Sequence, residues 1–329
     1  MFHNFKINTV ANYLTTRTQN ESSRFLRSLS ELSKQFKPIV TGVRFEQEEN
    51  IMKAIRTDSL YPVTNRFQWV TVFMNNAKEN TAIDFNVQAS KRWDDKVLSN
   101  ILSPFSSADQ AKIIASYKNK VHRIILNSQY RSLKYKLDSL TNNNETTVLN
   151  RIDYSVNINK GGINLNTSYE TGNGRELRKE YVFLETTPGQ GVYTWIDYNK
   201  NGVKELNEFE VAQFTDQANY IKVLLPTNTY IKAFTNSFTG ILAINASQLI
   251  KSENKFAKWC KKFSNQFALK IDNKITSNKN GRGYNPFYSA IADTSLIITN
   301  NSLRNNLSYN KSSSVWDADY LYTKTQAKN

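Results

Sequence analysis

Apolar and polar residues alternate with a period of two along most of this chain. Ile152, Tyr154, Val156 and Ile158 are apolar, while Asp153, Ser155, Asn157 and Asn159 between them are polar. Lys160-Gly161-Gly162 supplies a hairpin connection, and Ile163, Leu165 and Tyr169 resume the pattern. The same period runs through Phe67 to Phe73 and returns at Ile83, Phe85, Val87 and Ala89. It recurs at Leu133, Tyr135 and Leu137, at Phe267, Leu269 and Ile271, at Leu307 and Tyr309, and at Trp316, Tyr320 and Tyr322. Polar clusters separate these runs and predict turns at Asn75 to Asn80, Thr141 to Glu145, Gly172 to Gly174, Asn278 to Gly283 and Lys311 to Ser314.

The pattern predicts an all-β chain, mainly an antiparallel hairpin meander with a few short helices. Helix is expected at Ser106 to Lys118, Asn207 to Phe214 and Ser247 to Trp259. Two architectures share this alternation. In an outer-membrane-type barrel, alternate residues face lipid and the others face a polar lumen. In a large open sheet or sandwich, one face is apolar and the other wet. Residues 1–329 read as one β-rich region, with residues 186–215 as an insertion between strands.

That insertion holds the most specific motif. Residues 197 to 208 read Asp-Tyr-Asn-Lys-Asn-Gly-Val-Lys-Glu-Leu-Asn-Glu and fit the twelve-position calcium loop. Asp197, Asn199 and Asn201 would offer side-chain oxygens, Val203 its carbonyl, Glu205 a direct or water-mediated ligand, and Glu208 a bidentate carboxylate. Gly202 occupies the sixth position, where the chain turns sharply. Formal negative charge comes from Asp197, Glu205 and Glu208 alone, so Ca2+ affinity is expected on the order of 10⁻⁵ to 10⁻³ M. Such a site is useful where calcium is abundant, outside the cytosol. The flanking strand at Gly191 to Ile196 and a short helix after Glu208 suit a structural clip rather than the paired-helix opening of a calcium sensor.

Composition narrows the function. The 329 residues are 39% hydrophobic and 12% aromatic, which allows one large or two ordinary domains. No apolar run approaches the roughly 18 residues of a spanning helix. Met1-Phe2-His3-Asn4-Phe5-Lys6 does not read as a secretory signal, and with the calcium loop this makes the chain an expected piece of a longer exported precursor. Cys260 is the single cysteine, so neither an internal disulfide nor a thiolate metal site can form.

The formal charge of +15 comes from 43 Lys and Arg against 28 Asp and Glu. The cations are spread along the chain without a nucleic-acid motif, and no nucleic-acid partner is expected. The densest group, Lys251, Lys255, Lys258, Lys261 and Lys262, would form a basic stripe beside Phe256, Trp259 and Phe263 on a helix. Such a stripe is either a solvated face or a contact for anionic lipid or glycan.

Nothing predicts an enzyme. His3 and His122 are the only histidines, and no nucleophile elbow, phosphate loop or dinucleotide fingerprint occurs. An alternative to a structural envelope protein is a surface module in which Trp69, Trp93 or Trp316 stacks on glycans or peptides.

Several stretches carry a family resemblance. They are Tyr181-Val182-Phe183-Leu184-Glu185, Pro188-Gly189-Gln190-Gly191-Val192-Tyr193-Thr194-Trp195-Ile196-Asp197, and Asp216-Gln217-Ala218-Asn219-Tyr220-Ile221. Pro226 to Lys232, Asn285-Pro286-Phe287, Asp293 to Ile297 and Ser302 to Asn305 extend them. From about residue 60 onward the chain resembles a family of large, uncharacterised, β-rich cell-envelope proteins of Bacteroidota. The resemblance implies an outer-membrane or cell-surface location, with membrane lipid and other envelope proteins as partners, and an association with secretion or surface assembly. It brings no catalytic residues with it.

Overall fold

The computed structural model describes residues 5–77, 82–276, 284–287, 295–311, 313 and 315–328. The first strands are β1 (Phe5–Arg17), β2 (Glu21–Phe36), β3 (Ile39–Ala54), β4 (Asn65–Asn76) and β5 (Ile83–Leu98). Then come β6 (Ile101–Lys118), β7 (His122–Tyr135), β8 (Glu145–Ile158), β9 (Ile163–Glu185), β10 (Tyr193–Trp195) and β11 (Phe209–Val211). The last are β12 (Tyr220–Asn245), β13 (Phe263–Ile275), β14 (Leu296–Tyr309) and β15 (Ala318–Lys328). Strand neighbours follow chain order from β1 to β9 and then β12 to β15, with the β10–β11 hairpin off this path. The all-β antiparallel meander is therefore the fold.

Two compact units divide the chain, one of Met1–Gly174 with Phe234–Asn329 and one of Arg175–Ala233. In the first unit, register sorts the alternating residues onto two faces of different chemistry. Cross-strand pairing runs Ile7–Leu32–Val43–Val72–Ala89–Ala111–Tyr130–Val148, apolar at every step. On the opposite face the row Asn8–Glu31–Arg44–Thr71–Ser90–Gln110–Arg131–Thr147 is polar at every step. Because successive residues of a strand point to opposite sides, these rows mark the two faces of one sheet, named the apolar and the polar face after them. The next rows are mixed: Thr9–Ser30–Phe45–Val70–Lys91–Asp109–Ser132–Thr146 on the first and Val10–Leu29–Glu46–Trp69–Arg92–Ala108–Leu133–Glu145 on the second. In the later strands the division is partial: Thr239–Lys270–Ser302–Thr325 is polar throughout, while Gly240–Leu269–Leu303 on the other side runs on to Lys324. A Cβ built on Gly240 would lie 3.7 Å from Thr167 Cγ2, and Thr167 pairs with Tyr154, so Gly240 and Leu269 belong to the apolar face.

The apolar face is not covered. Val43, Val72 and Ile113 in its middle are 46%, 53% and 42% exposed. The polar face is tied internally: Arg44 reaches Glu31 at 2.8 Å, Arg92 reaches Asp94 at 2.7 Å, and Arg151 reaches Asp153 at 3.0 Å. Arg44 and Arg92 also lie over the rings of Phe73 and Phe67, at 5.5 and 4.1 Å. The accessible surface of 22355 Å² exceeds the ~14,000 Å² of a compact monomer of this mass. Among the described residues the largest fully buried side chains are Glu208 and Thr64, neither of them apolar.

Charges also occur on the apolar face, at several levels: Lys34 stands beside the β2–β3 hairpin, and Lys324 is paired with Leu303. Arg66 pairs with Asp95 at 2.6 Å and Arg24 with Glu49 near the end carrying connections 18–20, 55–64 and 99–100, while Lys91 pairs with Asp109 at 3.0 Å midway along β5 and β6. The other end of this face carries Phe36, Ile39, Ile83, Tyr117, Ile158, Phe263 and Tyr309.

Three expectations are corrected. Ser106 to Lys118 is no helix but most of β6, because pairing along both edges overrides the helix propensity of its Ala, Gln and Lys residues. The predicted turn at Gly172 to Gly174 lies inside β9, where Gly172 passes against Leu149. Ser247 to Trp259 is two short helices, α1 (Ala246–Leu249) and α2 (Lys255–Cys260), and the second starts afresh where Asn254 accepts from Ala257 N at 2.7 Å. The turn placed at Asn278 to Gly283 lies outside the described residues, as do 78–80, 312 and 314 of two other turns and Asp293-Thr294 of the resemblance.

Candidate metal centre

The second unit is built on aromatic contacts. Phe183 stacks on Phe209 at 3.9 Å between centroids, and Tyr193 and Tyr220 each meet one of these rings edge-on at 5.0 Å. The β10–β11 hairpin pairs Tyr193 with Val211 and Trp195 with Phe209, and the candidate calcium loop connects its strands. The short helix expected at Asn207 to Phe214 is absent. A 3-10 turn at Leu206–Glu208 leads directly into β11, because pairing with β10 claims Phe209 to Val211.

The loop winds tightly around its first residue. Asp197 accepts from Asn201 N at 3.2 Å and from Gly202 N at 2.9 Å. Asn199 Oδ1 accepts from Asn201 N at 3.0 Å, and Asn201 Oδ1 from Val203 N at 2.6 Å. Lys200 and Gly202 take φ of 59° and 71°, and at Gly202 the absence of a Cβ makes that left-handed turn unstrained. Glu205 closes the ring, accepting from the Asn199 and Asn201 amides at 3.3 Å each. Asp197, Asn199, Asn201 and Glu205 are thus brought together, while Val203 joins through its N–H, a donor to Asn201 rather than the expected carbonyl ligand.

Glu208 stands apart. It is 1% exposed, and its Oε2 accepts from Trp195 Nε1 at 3.0 Å and from Glu205 N at 3.3 Å. Its Oε1 is buried with no hydrogen-bond partner. A buried carboxylate oxygen left unpaired is unfavourable, and a cation at the loop's mouth would satisfy it. Among the described residues no three of His, Cys, Asp and Glu gather as a metal cage. The oxygens that do gather are those of Asp197, Asn199, Asn201 and Glu205, carboxylate and amide donors of the type a hard cation would require. Sequence reasoning missed the role of Trp195, whose indole fixes the Glu208 carboxylate; its position two residues before Asp197 was the available signal.

Electrostatics around the loop are local. Lys204 Nζ contacts Glu185 Oε2 at 2.9 Å and lies over the rings of Tyr220 and Trp195 at 5.0 and 5.7 Å. Hydrogen bonding to Tyr220, then to Glu185, raises the Lys204 pKa, and the Lys204 hydrogen bond lowers that of Glu185. Tyr198 donates to Glu210 at 2.5 Å, and that bond raises the phenol pKa.

The other residues considered for function lie in the first unit. Trp69 is on the polar face with Arg92 6.0 Å from its ring, whereas Trp93 is on the apolar face. His122 is stacked on Tyr154, with its Nδ1 3.0 Å from the phenol oxygen.

No protein-family model matches the chain, and no curated protein matches it. Among solved structures, a double mutant of the Serratia marcescens hemophore receptor HasR, in complex with its hemophore HasA and heme, aligns with a TM-score of 0.36 at 8% identity. That alignment covers 99% of this chain, which spans 54% of the receptor chain. Pseudomonas aeruginosa OpdL aligns with a TM-score of 0.23 at 7% identity, covering 98% of this chain and 92% of that one. Superpositions this loose carry no argument about function.

Proposed function

We propose that this chain is a non-enzymatic component of an outer membrane, its first unit forming a wall of an outer-membrane-type barrel and its second carrying a structural calcium clip. The observation that carries the reading is the pair of adjacent cross-strand rows, one apolar at all eight positions and one polar at all eight. In water, an exposed apolar row of this length is unfavourable and marks an interaction surface. In a bilayer it is the lipid-facing band, and the ion-paired row lines the lumen.

The dimensions agree. On β5 the apolar face runs from Ile83 to Trp93, ten residue steps. That is ~33 Å along a strand and ~25 Å in height at a tilt of about 40°, the height of the apolar band of such barrels. The charged pairs Arg66–Asp95 and Arg24–Glu49 then lie beyond the band, whereas Lys91–Asp109 lies within it and would face lipid as a closed ion pair. Strands β1 and β15 end the path and are exposed along their whole length. Open edges are not tolerated in hydrocarbon, so these two would pair with each other or with strands of other polypeptide.

Ca2+ in the 197–208 loop would stiffen the β10–β11 hairpin, with Asp197, Asn199, Asn201, Val203, Glu205 and Glu208 as ligands. Membrane lipid and other envelope proteins are the partners this reading implies, in secretion or surface assembly. The test is refolding into bilayers containing brominated lipid. Quenching of Trp93 emission, with Trp69 on the polar face spared, would support the reading. A monodisperse chain in buffer that ignores lipid would end it.

A further inference from the structure

We propose that α2 and its flanks form an interfacial anchor that grips anionic phospholipid headgroups at one rim of the sheet; this rests on the membrane reading above. Phe256 and Trp259 are 72% and 50% exposed and stack on each other at 6.0 Å. Their cluster continues inward, Trp259 meeting Phe263 at 4.8 Å and Phe263 meeting Tyr309 at 4.9 Å. Phe263 and Tyr309 are paired across β13 and β14, an even number of residues from Leu269 and Leu303, and so belong to the apolar face. Trp316 extends the patch at 5.3 Å from Tyr309. The collar is therefore continuous with the surface assigned to hydrocarbon.

Around these rings stand lysines. Lys251, Lys255 and Lys258 are exposed, Lys262 lies 5.8 Å from the Tyr309 ring centroid, and Glu253 is the sole acidic residue between Lys251 and Phe263, paired with Lys261 and Lys258. Aromatic rings at the edge of an apolar band with ammonium groups just beyond them match the two layers of a bilayer surface, acyl border and phosphate. A solvated charge run would explain the lysines but not the exposed, mutually stacked Phe256 and Trp259. The net positive balance selects anionic headgroups, and the attraction falls within a Debye length of the surface.

The test uses the full chain refolded into phosphatidylcholine bilayers and into bilayers that also contain phosphatidylglycerol. The wild type should unfold at a midpoint roughly 2–4 °C higher, or more, in the anionic bilayer. The shift should shrink at high salt and vanish in a Lys251→Gln/Lys255→Gln/Lys258→Gln variant. Phe256→Ser with Trp259→Ser should lower the midpoint in both bilayers. Insertion with no dependence on headgroup charge, or an unchanged shift in the lysine variant, would overturn the anchor and leave the membrane reading standing. A chain that does not insert, seen as unquenched Trp93 with brominated lipid, would overturn both.

Discussion

Trp195 donates its indole N–H to one oxygen of Glu208 at 3.0 Å and leaves the other oxygen of that carboxylate buried without a partner. The indole fixes the plane of the carboxylate, and under the proposed calcium clip the bare oxygen would supply the Glu208 ligand. At about 1 mM calcium, an affinity on the order of 10⁻⁵ to 10⁻³ M corresponds to about 0.4–2.7 kcal/mol of stabilisation. Calcium titration followed by thermal unfolding should therefore raise the midpoint by a few degrees for the parent. Glu208→Gln and Asp197→Ala should abolish the response. A parent that does not respond at millimolar calcium reduces the loop to a turn.

The two faces make a paired prediction. Val72→Arg places a charge in the middle of the apolar row and should cost about 2–4 kcal/mol in a bilayer. Ser237→Arg, on the polar face directly opposite Asp272, should be nearly neutral. Denaturant unfolding of both variants in liposomes gives the comparison, and equal effects would refute the assignment of faces.

Gly191 is sterically required. A Cβ there would lie 2.6 Å from Tyr220 N and 2.7 Å from both Ala218 O and Tyr220 O, all backbone atoms. Gly191→Ala should break the bonds Gly191 N–Ala218 O and Val192 N–Tyr220 O, at roughly 1–3 kcal/mol. Amide exchange at Val192 and Ala212 should accelerate, and the calcium response should weaken with it.

The Glu185–Lys204 contact predicts a pH window. Lys204 lowers the Glu185 pKa below its ordinary 4.5, so this contribution is present above that value and fades as pH falls through the folded-state pKa. The Lys204 pKa is raised above 10.5, first by Tyr220 and then by Glu185, so its contribution is present below 10.5 and fades as pH rises through the raised value. Protection factors in 186–220, the intrinsic exchange rate at each pH divided by the observed rate, should be highest between these limits, and Lys204→Met should flatten both limbs.

Much of the meander was legible because strand periodicity is a local property. Ile152 to Ile158 and Ile163 to Tyr169 alternate so regularly that their hairpin could be placed from the sequence. The stretch Ser106 to Lys118 misled because Ala, Gln and Lys favour helix, and only pairing with β5 and β7 decides otherwise. Gly172 and Gly174 suggested a turn for the same reason, since a glycine in a strand is invisible until its neighbour Leu149 is known. At the candidate site, the order of ligand-type residues and the turn at Gly202 were readable from spacing. The orientation of Glu208 was not, because it depends on a β10–β11 pairing that replaced an expected helix.

The large accessible surface has a consequence for how this chain unfolds. Heat capacity change and denaturant sensitivity both scale with the surface newly exposed on unfolding. A sheet that already presents both faces has less left to expose, about 33,000 Å² against about 41,000 Å² for a compact chain of this mass, so its m-value in aqueous buffer should fall about a fifth below that of a globular domain of 329 residues. The solvent on the Val43, Val72 and Ile113 side, rather than a core, then decides whether the chain is a cooperative folding unit at all.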